Sequence, residues 1–316
     1  MDFYQDIISL PNLFTAWEEF VKGKRKRKDV AEFSDNLSSH IYELHLALKN
    51  KTYEHSTYHA FNISDPKPRN IHKASVRDRL LHHAVYRILY PYFDKKFIAD
   101  SYSCRLNKGT HKALLKFEYF TRKVSKNYTK QCWVLKCDVR KFFASVDQDI
   151  LLKILEKHLE DKEVVQLFKE IISSFPHGLP LGNLTSQLLV NIYMNEFDQF
   201  MKHKLRIKYY IRYADDFAMI YHSKRKLEEL IPKIQDFLRR NLNLDLHPHK
   251  VFIKTIYSGV DFLGWVHFPR HRVLRTVTKR RMLKKVSKVP FDTASKASYL
   301  GMLKWGNTNK IKKMIG

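Results

Sequence analysis

The chain has 316 residues, of which 44% are hydrophobic and 13% aromatic, so it can fill a globular interior, and its length suggests two or three lobes rather than one small core. Its 58 Lys and Arg residues outnumber 32 acids and give a formal net charge of +26 at pH 7. Such a surplus repels itself unless a polyanion screens it, which favours nucleic acid as the partner; a generally basic soluble protein is the alternative.

The N-terminus and the cysteines bear on the compartment. MDFYQDIISLPNLF has no positive segment followed by a long apolar run, and no window approaches about 18 uncharged apolar residues, so we expect neither a secretory signal nor a membrane span. Cys104, Cys132 and Cys137 have no CxxC spacing and are expected to be reduced, buried thiols in a cytoplasmic protein. His55 and His59 have the spacing of one helical turn, but without a third ligand they do not predict a zinc site.

The N-terminal third of the chain is predicted to be mostly helical and basic. The run KGKRKRK (22–28) fits either a solvated loop or a phosphate contact. Residues 63–89 begin extended around Pro66 and Pro68 and then become helical. The positive charge of this region is concentrated in Lys67, Arg69, Lys73, Arg77 and Arg79.

A strand, a helix and a glycine-containing loop come next. CWVLKCDVRKFF (132–143) is a short apolar run with one acid, Asp138, which predicts a buried strand that ends in a turn. The segment 145–159 has a helical pattern. GLPLGNLTSQ (178–187) is a loop, and Ser186 is predicted to cap the helix SQLLVNIYMNEFDQFM that follows.

The segment KYYIRYADDFAMIYH (208–222) predicts a hairpin with Ala-Asp-Asp at its turn. In the helix after it, Pro232 implies a kink or a helix start. LDLHPHKVFI and GVDFLGWV are predicted to be short strands, and the order of elements over 132–266 suits an α+β fold with a split βαβ sheet. Residues 270–316 contain 14 Lys or Arg and one acid, which predicts a separate basic helical lobe.

Two adjacent acids, Asp215 and Asp216, lie in this otherwise apolar hairpin. Neighbouring strand residues point to opposite faces, so both acids can approach one site only at the hairpin turn. An inert, solvated turn is the alternative. Asp138 ends a second strand that a split βαβ sheet places beside the hairpin, and three such acids repel unless cations share them. The chemistry therefore predicts two Mg²⁺ ions, with Mn²⁺ as an alternative ion, that activate a 3′-hydroxyl and stabilise a leaving pyrophosphate.

These motifs resemble those of reverse transcriptases: the hairpin IRYADDF, the strand ending in Asp138 and the loop GLPLGNLTSQ. DRLLHHAVYRILYPYFD and SYSCRLNKGTHKAL resemble the family's fingers, GVDFLGW its primer-contacting turn and SYLGMLKWGNT its thumb. The resemblance implies a right-hand polymerase, with an N-terminal region and fingers over 1–131, an RRM-like antiparallel palm over 132–269 and a basic helical thumb over 270–316. Within the palm range, residues 149–185 would contribute to the junction between fingers and palm. It implies RNA-directed DNA synthesis on template RNA and primer from dNTPs.

Leu181 and Gln187 resemble a particular branch of the family. Most reverse transcriptases have Gln before Gly182 and Ser-Pro at the end of this motif, whereas Leu181 and Ser-Gln are similar to the enzymes of diversity-generating retroelements. This branch implies error-prone copying at template adenines during mutagenic retrohoming, and a small, basic, pentameric accessory protein as partner. The alternatives are an antiphage-defence or other group II-like reverse transcriptase with its own non-coding RNA, and a catalytically inactive RNA-binding scaffold.

The resemblance also implies roles for individual residues. Asp138 and Asp215 would ligate both ions, and Asp216 would support the primer side. Phe143, five positions after Asp138, would be the steric gate against a ribose 2′-hydroxyl; an ordinary core Phe is the alternative. Lys250 would act near the pyrophosphate as a general acid, with a solvated lysine as the alternative.

Further positions are expected to contact substrate and nucleic acid. Guanidinium and ammonium groups match phosphate oxygens, so Arg69, Lys73 and Arg79 are candidates for binding the triphosphate. For each of them a surface salt bridge is the alternative. The basic lobe is expected to hold template–primer through phosphates, with an affinity that falls steeply with salt. The predicted dNTP contacts are Arg69, Lys73, Arg79, Phe143, Leu181, Gly182, Gln187 and Lys250, and the predicted nucleic-acid contacts are Lys279, Arg280, Arg281, Lys284 and Lys285.

Overall fold

The protein was analysed as a computed structural model, which describes residues 2–64, 68–287 and 293–315. Pro66 and Lys67, both noted above, lie outside the described residues. The chain forms two compact units, each assembled from three segments. Unit 1 comprises Met1–Ala99, Val139–Phe200 and Asp236–Asp245, and unit 2 comprises Asp100–Asp138, Met201–Gln235 and Leu246–Gly316. The predicted boundaries of fingers, palm and thumb differ from these limits and remain a prediction.

The elements alternate between helical stretches and short strands. The helices are α1 (Phe3–Ile8), α2 (Leu10–Phe20), α3 (Lys28–Asp35), α4 (Leu37–Lys49), α5 (Val76–Asp94), α6 (Thr110–Val124), α7 (Phe142–Ser145), α8 (Gln148–His158), α9 (Lys162–Ser173), α10 (Leu184–Gln199), α11 (Lys224–Glu228), α12 (Leu230–Leu242), α13 (Thr276–Val286), α14 (Thr293–Leu303) and α15 (Asn309–Ile315). The strands are β1 (His59–Ile63), β2 (Arg69–Lys73), β3 (Trp133–Asp138), β4 (Tyr210–Tyr213), β5 (Asp216–Tyr221), β6 (Phe252–Thr255), β7 (Val260–Phe262), β8 (Trp265–Phe268) and β9 (His271–Leu274).

Unit 1 is built around α5, which packs against α2 and α10. The Ser75 side chain caps α5 by accepting a hydrogen bond from the backbone N–H of Asp78. Asp78 is fully buried, and its carboxylate accepts hydrogen bonds from Ser75 and from the Tyr53 hydroxyl at 2.8 Å. These hydrogen bonds outweigh the cost of burial and hold the pKa of Asp78 below its usual range. The start of α5 is thereby fixed.

The antiparallel β1–β2 hairpin supports the glycine-containing loop of unit 1. The backbone N–H of His72 donates to the Leu181 carbonyl at 3.0 Å, and Asn183 Nδ2 donates to the His72 carbonyl at 3.0 Å. Gly182 has φ +111°, and a Cβ there would lie 2.8 Å from Ile71 Cγ2. Only glycine therefore fits this close approach without strain.

The prediction that Ser186 caps the following helix is wrong. Helix α10 begins at Leu184 with Asn183 as its N-cap residue, so Ser186 lies within the first turn. The Asn183 side chain makes no cap hydrogen bond: its Nδ2 donates to the His72 carbonyl, and its Oδ1, the atom that would accept a cap hydrogen bond, has no partner among the described residues. Contact between the loop and β2 therefore determines where α10 starts.

Unit 2 contains a four-stranded sheet of order β4-β5-β3-β6 in which every neighbouring pair is antiparallel. Of the four strands of this sheet, β3 comes first in the chain, and it lies inside the sheet between β6, the last of the four, and β5, the third. This is the order of the split βαβ, RRM-like sheet, and the predicted α+β fold class is confirmed. The two central strands, β3 and β5, are buried at every position except their ends.

The main hydrophobic core of unit 2 lies between the four-stranded sheet, helix α6, the antiparallel sheet β7-β8-β9 and helices α13 to α15. Phe117 of α6 stacks on Phe262 of β7 with ring centroids 4.8 Å apart. Met282 places one side of α13 in this core, so its lysines and arginines lie on the other sides. Within residues 270–316 the described part holds strand β9 as well as helices α13 to α15, and it belongs to unit 2 rather than to a compact unit of its own, so the separate helical lobe stays a prediction.

Three local predictions are corrected or refined. Cys104 is exposed, whereas Cys132 and Cys137 are buried, so the expectation of three buried thiols is wrong for Cys104. Within LDLHPHKVFI only the end belongs to a strand, because β6 starts at Phe252. Pro232 lies in the first turn of α12, so it marks a helix start. In the described part of the chain, no helix is both long and apolar enough to span a bilayer.

Candidate active site

The turn of the β4–β5 hairpin brings acids together in unit 2. Tyr213 ends β4 and pairs with Asp216, the first residue of β5, so Ala214 and Asp215 form the turn. Asp216 also faces Asp138 directly across the β3–β5 ladder. Directly opposed residues of an antiparallel pair have Cβ atoms about 4.5–5.5 Å apart. The structure therefore places Asp138, Asp215 and Asp216 at one end of the sheet.

A buried arginine supports this turn. Ala214 has φ 55°, a left-handed conformation that costs a residue with a Cβ roughly 1–2 kcal/mol. Arg212 is fully buried; its Nη1 donates to the Ala214 carbonyl at 3.1 Å and its Nη2 to Ser101 Oγ at 3.2 Å. The guanidinium thus stabilises the strained turn from inside unit 2.

Two lysines contact the acids. Lys136 Nζ lies 3.1 Å from Asp216 Oδ2, and Lys250 Nζ donates to Asp138 Oδ1 at 2.8 Å. Lys136 is 5% exposed, whereas the side chain of Lys250 is 42% exposed. The contact between Lys136 and Asp216 is therefore a buried ion pair, whereas Lys250 can exchange Asp138 for another partner.

Burial and mutual repulsion disfavour ionisation of all three acids at this end of the sheet. Burial raises the pKa of Asp216 to about 7; Lys136 opposes this shift, and repulsion from Asp215 and Asp138 adds to it. Asp216 Oδ1 is buried and has no hydrogen-bond partner among the described residues. An additional cation next to this oxygen would satisfy it and relieve the repulsion.

The residues fit an open divalent-cation site rather than a closed one. Within residues 2–64, 68–287 and 293–315, no group of three or more His, Cys, Asp or Glu side chains is arranged to hold a metal ion, so the predicted set of Asp138, Asp215 and Asp216 is not gathered as three ligands of one ion. Mg²⁺ is commonly bound by one or two carboxylates while waters and substrate phosphates complete its shell. Asp138 with the unpaired oxygen of Asp216 offers that kind of partial ligand set.

Sequence reasoning missed Lys136 and Arg212. Both are charged residues inside apolar strand segments, where an unpaired charge is costly. Lys136 is two residues before Asp138, so strand alternation places both side chains on one face of β3. That spacing was the available signal for Lys136. Arg212 was recognisable as a strand charge, but its partners at residues 101 and 214 depend on tertiary structure.

A second candidate site is a cavity of about 250 Å³ within unit 1. Four predicted positions line it: Lys73, Arg79, Gly182 and Gln187. The run 22–28 also contributes, because Lys24 and Arg27 line the same cavity. Partial burial and repulsion from Arg79 and Arg27 lower the pKa of Lys24. Such crowding of cations favours an anionic ligand.

One acid holds two of these cations. Asp29 lies 2.7 Å from Lys73 Nζ and 2.5 Å from Arg79 Nη2. Partial burial opposes ionisation of Asp29, but the hydrogen bonds from Lys73 and Arg79 outweigh it and lower its pKa. Asp29 therefore neutralises part of the positive charge in this cavity. A more highly charged anion can compete with it for Lys73 and Arg79.

Two buried polar groups on the cavity wall lack partners in the described part of the chain: both ring nitrogens of His82 and Oδ1 of Asn183. Burial lowers the pKa of His82 to about 3, with repulsion from His55 contributing, so the imidazole is neutral at pH 7. A neutral imidazole offers one donor and one acceptor. Since buried polar groups are normally hydrogen-bonded, water or ligand atoms would complete this wall.

The remaining predicted nucleotide contacts are placed differently. Arg69 is exposed at the start of β2, and neither it, Leu181 nor Phe143 is among the described residues that line the cavity. Phe143 is half-buried beside Phe142, which is 4% exposed. Phe142 therefore packs in the core, whereas part of the Phe143 side chain remains accessible.

The predicted nucleic-acid contacts share helix α13. Lys279, Arg280, Lys284 and Lys285 are exposed, and Arg281 is half-buried. They lie on the sides of the helix that Met282 does not anchor in the core. The arrangement provides a basic helical surface within unit 2 and leaves its proposed role as a phosphate contact open to test.

A split βαβ sheet that carries acids from two adjacent strands defines the class of palm-type nucleotide polymerases. The chain belongs to the reverse transcriptase (RNA-dependent DNA polymerase) family, whose pattern matches residues 62–267. The enzyme class is therefore RNA-directed DNA polymerase.

Several known proteins are similar to the chain. Protein YkfC of Escherichia coli (strain K12) is 25% identical over 285 residues, which cover 77% of this chain and 73% of YkfC. The group II intron-encoded protein LtrA of Lactococcus lactis is 22% identical over 320 residues, covering 77% of this chain and 52% of LtrA. Telomerase from Candida albicans has the same fold, with a TM-score of 0.52 at 11% identity over 75% of this chain and 51% of that one. The chain thus spans about half the length of LtrA and of the telomerase chain.

Proposed function

We propose that the protein copies template RNA into cDNA by extending a primer with dNTPs. The observation that carries the proposal is the register of β3 and β5, which sets Asp138 opposite Asp216 beside the Asp215 turn in a chain of this family. Divalent ions held by these acids, two Mg²⁺ ions in the proposed scheme, would promote ionisation of the attacking hydroxyl and neutralise charge on the phosphates.

The chain's own side chains would divide the remaining work. Lys136 keeps Asp216 neutralised from inside the sheet. Lys250 can leave Asp138 because its side chain is 42% exposed, and in the proposed reaction its ammonium protonates or pairs with the departing pyrophosphate. We propose that the cation cavity of unit 1 takes the triphosphate, which competes with Asp29 for Lys73 and Arg79.

Phe143 is the proposed gate for the sugar. Its half-buried ring follows a left-handed turn residue, Lys141 with φ 45°, and packs edge-on against Phe142 at 5.6 Å. A ring held by its neighbour can exclude a 2′-hydroxyl, whereas a mobile side chain would yield to it. This role favours dNTPs over NTPs.

Primer extension tests the proposed polymerase. The purified chain, a DNA primer annealed to an RNA template, and Mg²⁺ are expected to yield extended primers with dNTPs and little product with NTPs. A chelator should abolish the product. Failure to extend any primer with dNTPs in Mg²⁺ or Mn²⁺ would contradict the proposal.

We further propose that this polymerase serves a diversity-generating retroelement, with a small basic accessory protein as partner. The support is the sequence of the loop before α10, with Leu181 and Gln187 where most reverse transcriptases have Gln and Pro. In the structure Leu181 uses its carbonyl to bind the His72 N–H, which fixes the loop on β2. Its side chain offers packing but no hydrogen bond to a nucleotide.

Leu181→Gln is expected to reduce misincorporation opposite template adenine. One added hydrogen bond is worth roughly 1 kcal/mol, which corresponds to about a fivefold change in discrimination. The measurement is sequencing of cDNA made on a template with all four bases, with Leu152→Gln as the control, at a leucine of α8 that is half-buried like Leu181 and does not line the cavity. An unchanged error spectrum at adenines would remove the support from Leu181 while leaving the polymerase proposal intact.

A further inference from the structure

Helix α6 of unit 2 carries an exposed groove that the polymerase site does not use. Its lining consists of Tyr102, Lys112, Leu115, Lys116 and Tyr119, around a volume of about 310 Å³. Leu115 and Tyr119 are 49% and 48% exposed, which is unusual for large apolar side chains on the same side of one helix. We call this surface the α6 groove.

Two ammonium groups lie close to the Tyr119 ring. Lys116 Nζ is 5.4 Å from the ring centroid and Lys123 Nζ is 5.5 Å from it. Both contacts fall within the distance at which a cation is attracted to an aromatic face. They hold an accessible aromatic ring next to positive charge.

The acids near the groove are already paired. Asp100 contacts Lys116 at 3.4 Å and Lys202 at 3.0 Å, and Glu118 contacts Arg272 at 3.1 Å. Lysines therefore dominate the charge that a ligand of the α6 groove meets. Burial raises the pKa of Tyr102 to about 12, with Asp100 contributing, so its hydroxyl stays protonated at neutral pH as part of the lining.

We propose that the α6 groove binds single-stranded RNA outside the polymerase site, with a base stacked on Tyr119 and phosphates on the flanking lysines. Aromatic rings interleaved with cations are the general means of binding unpaired strands without sequence preference, because every base has a flat face. An acidic peptide would use the lysines but gain little from the exposed ring, and a neutral apolar partner would leave the lysines unpaired. RNA is the single strand that a member of this family meets before copying.

The test is the affinity of the full chain for a fluorescent, unprimed RNA oligonucleotide, measured by anisotropy. Tyr119→Ala is expected to raise the Kd roughly 5- to 150-fold, and Tyr119→Phe, which keeps the ring, should retain binding. Tyr257→Ala is the matched control, since Tyr257 is also 48% exposed in unit 2. Lys123→Gln should weaken binding and reduce its salt dependence.

Photocrosslinking locates the contact independently of affinity. With 4-thiouridine in the RNA, the crosslink should fall in the peptide FEYFTR (117–122), and Asp215→Asn should leave it in place, which separates this groove from the polymerase site. The proposal is overturned if Tyr119→Ala binds the RNA as wild type does, if no crosslink falls in residues 117–122, or if an equally long DNA strand is bound and crosslinked there in preference to RNA.

Discussion

Asp215→Asn is expected to lower the rate of dNTP incorporation by roughly 10²- to 10³-fold, which corresponds to about 3 to 4 kcal/mol of lost transition-state stabilisation. The amide keeps the size of the side chain but removes a negative charge beside Asp216 and Asp138. That charge is needed to attract divalent cations to the turn of the β4–β5 hairpin. Single-turnover extension of a saturated primer–template measures the change without interference from template binding.

A thermal-unfolding series gives a second readout for the same variant. A cation that binds only the folded chain stabilises it by about 2.7 kcal/mol at a concentration of 100 times its Kd. The wild-type midpoint should therefore rise with Mg²⁺, and the rise should shrink in Asp215→Asn. Asp236→Asn, at an exposed acid paired with Arg240 on α12, is the matched control and should behave as wild type in both assays. Normal incorporation by Asp215→Asn would refute the assigned acid site.

The sequence was sufficient to predict the sheet and the position of its acids. Strand-like runs that end in Asp138 and turn at Asp215 have few ways to pair once a split βαβ order is assumed, and the observed register places Asp138 opposite Asp216. The α+β class follows from the same order of elements. Periodicity and turn chemistry are local properties, so the sequence contains them directly.

What could not be predicted depends on contacts between distant segments. The start of α10 is determined by Asn183 binding the His72 carbonyl, 111 positions away, which is why Ser186 was wrongly expected to cap it. Nothing in the sequence around Asp29 indicates that it forms ion pairs with Lys73 and Arg79. The sequence therefore predicted the cavity of unit 1 only in part. Two of its lining cations, Lys24 and Arg27, lie in the run 22–28, for which a phosphate contact was one of the two interpretations.

Lys136→Met is expected to destabilise the fold by about 3 kcal/mol, because removing one partner of a buried ion pair leaves the other charge uncompensated. The loss should stay near the lower end of the usual range, since Asp216, with its pKa raised to about 7, can take up a proton. Mg²⁺ should then stabilise the variant more than the wild type, because a positive charge next to Asp216 has been removed. A lysine that served packing alone would not change the response to Mg²⁺.

A double-mutant cycle isolates the ion pair. Asp216→Asn in the Lys136→Met background removes both charges, so the pair should recover part of the lost stability and give a coupling energy of about 1 to 3 kcal/mol. Lys254→Met, at an exposed lysine of the neighbouring strand β6, is the control for replacing a strand lysine and should change stability by less than about 0.5 kcal/mol. A coupling energy near zero would mean that Lys136 does not neutralise Asp216 in solution. The acids would then depend on divalent cations alone for charge compensation, and the metal-free protein should lose stability as the pH rises from about 4 to about 7, since over this range the folded state holds an Asp216 proton that the unfolded chain has lost.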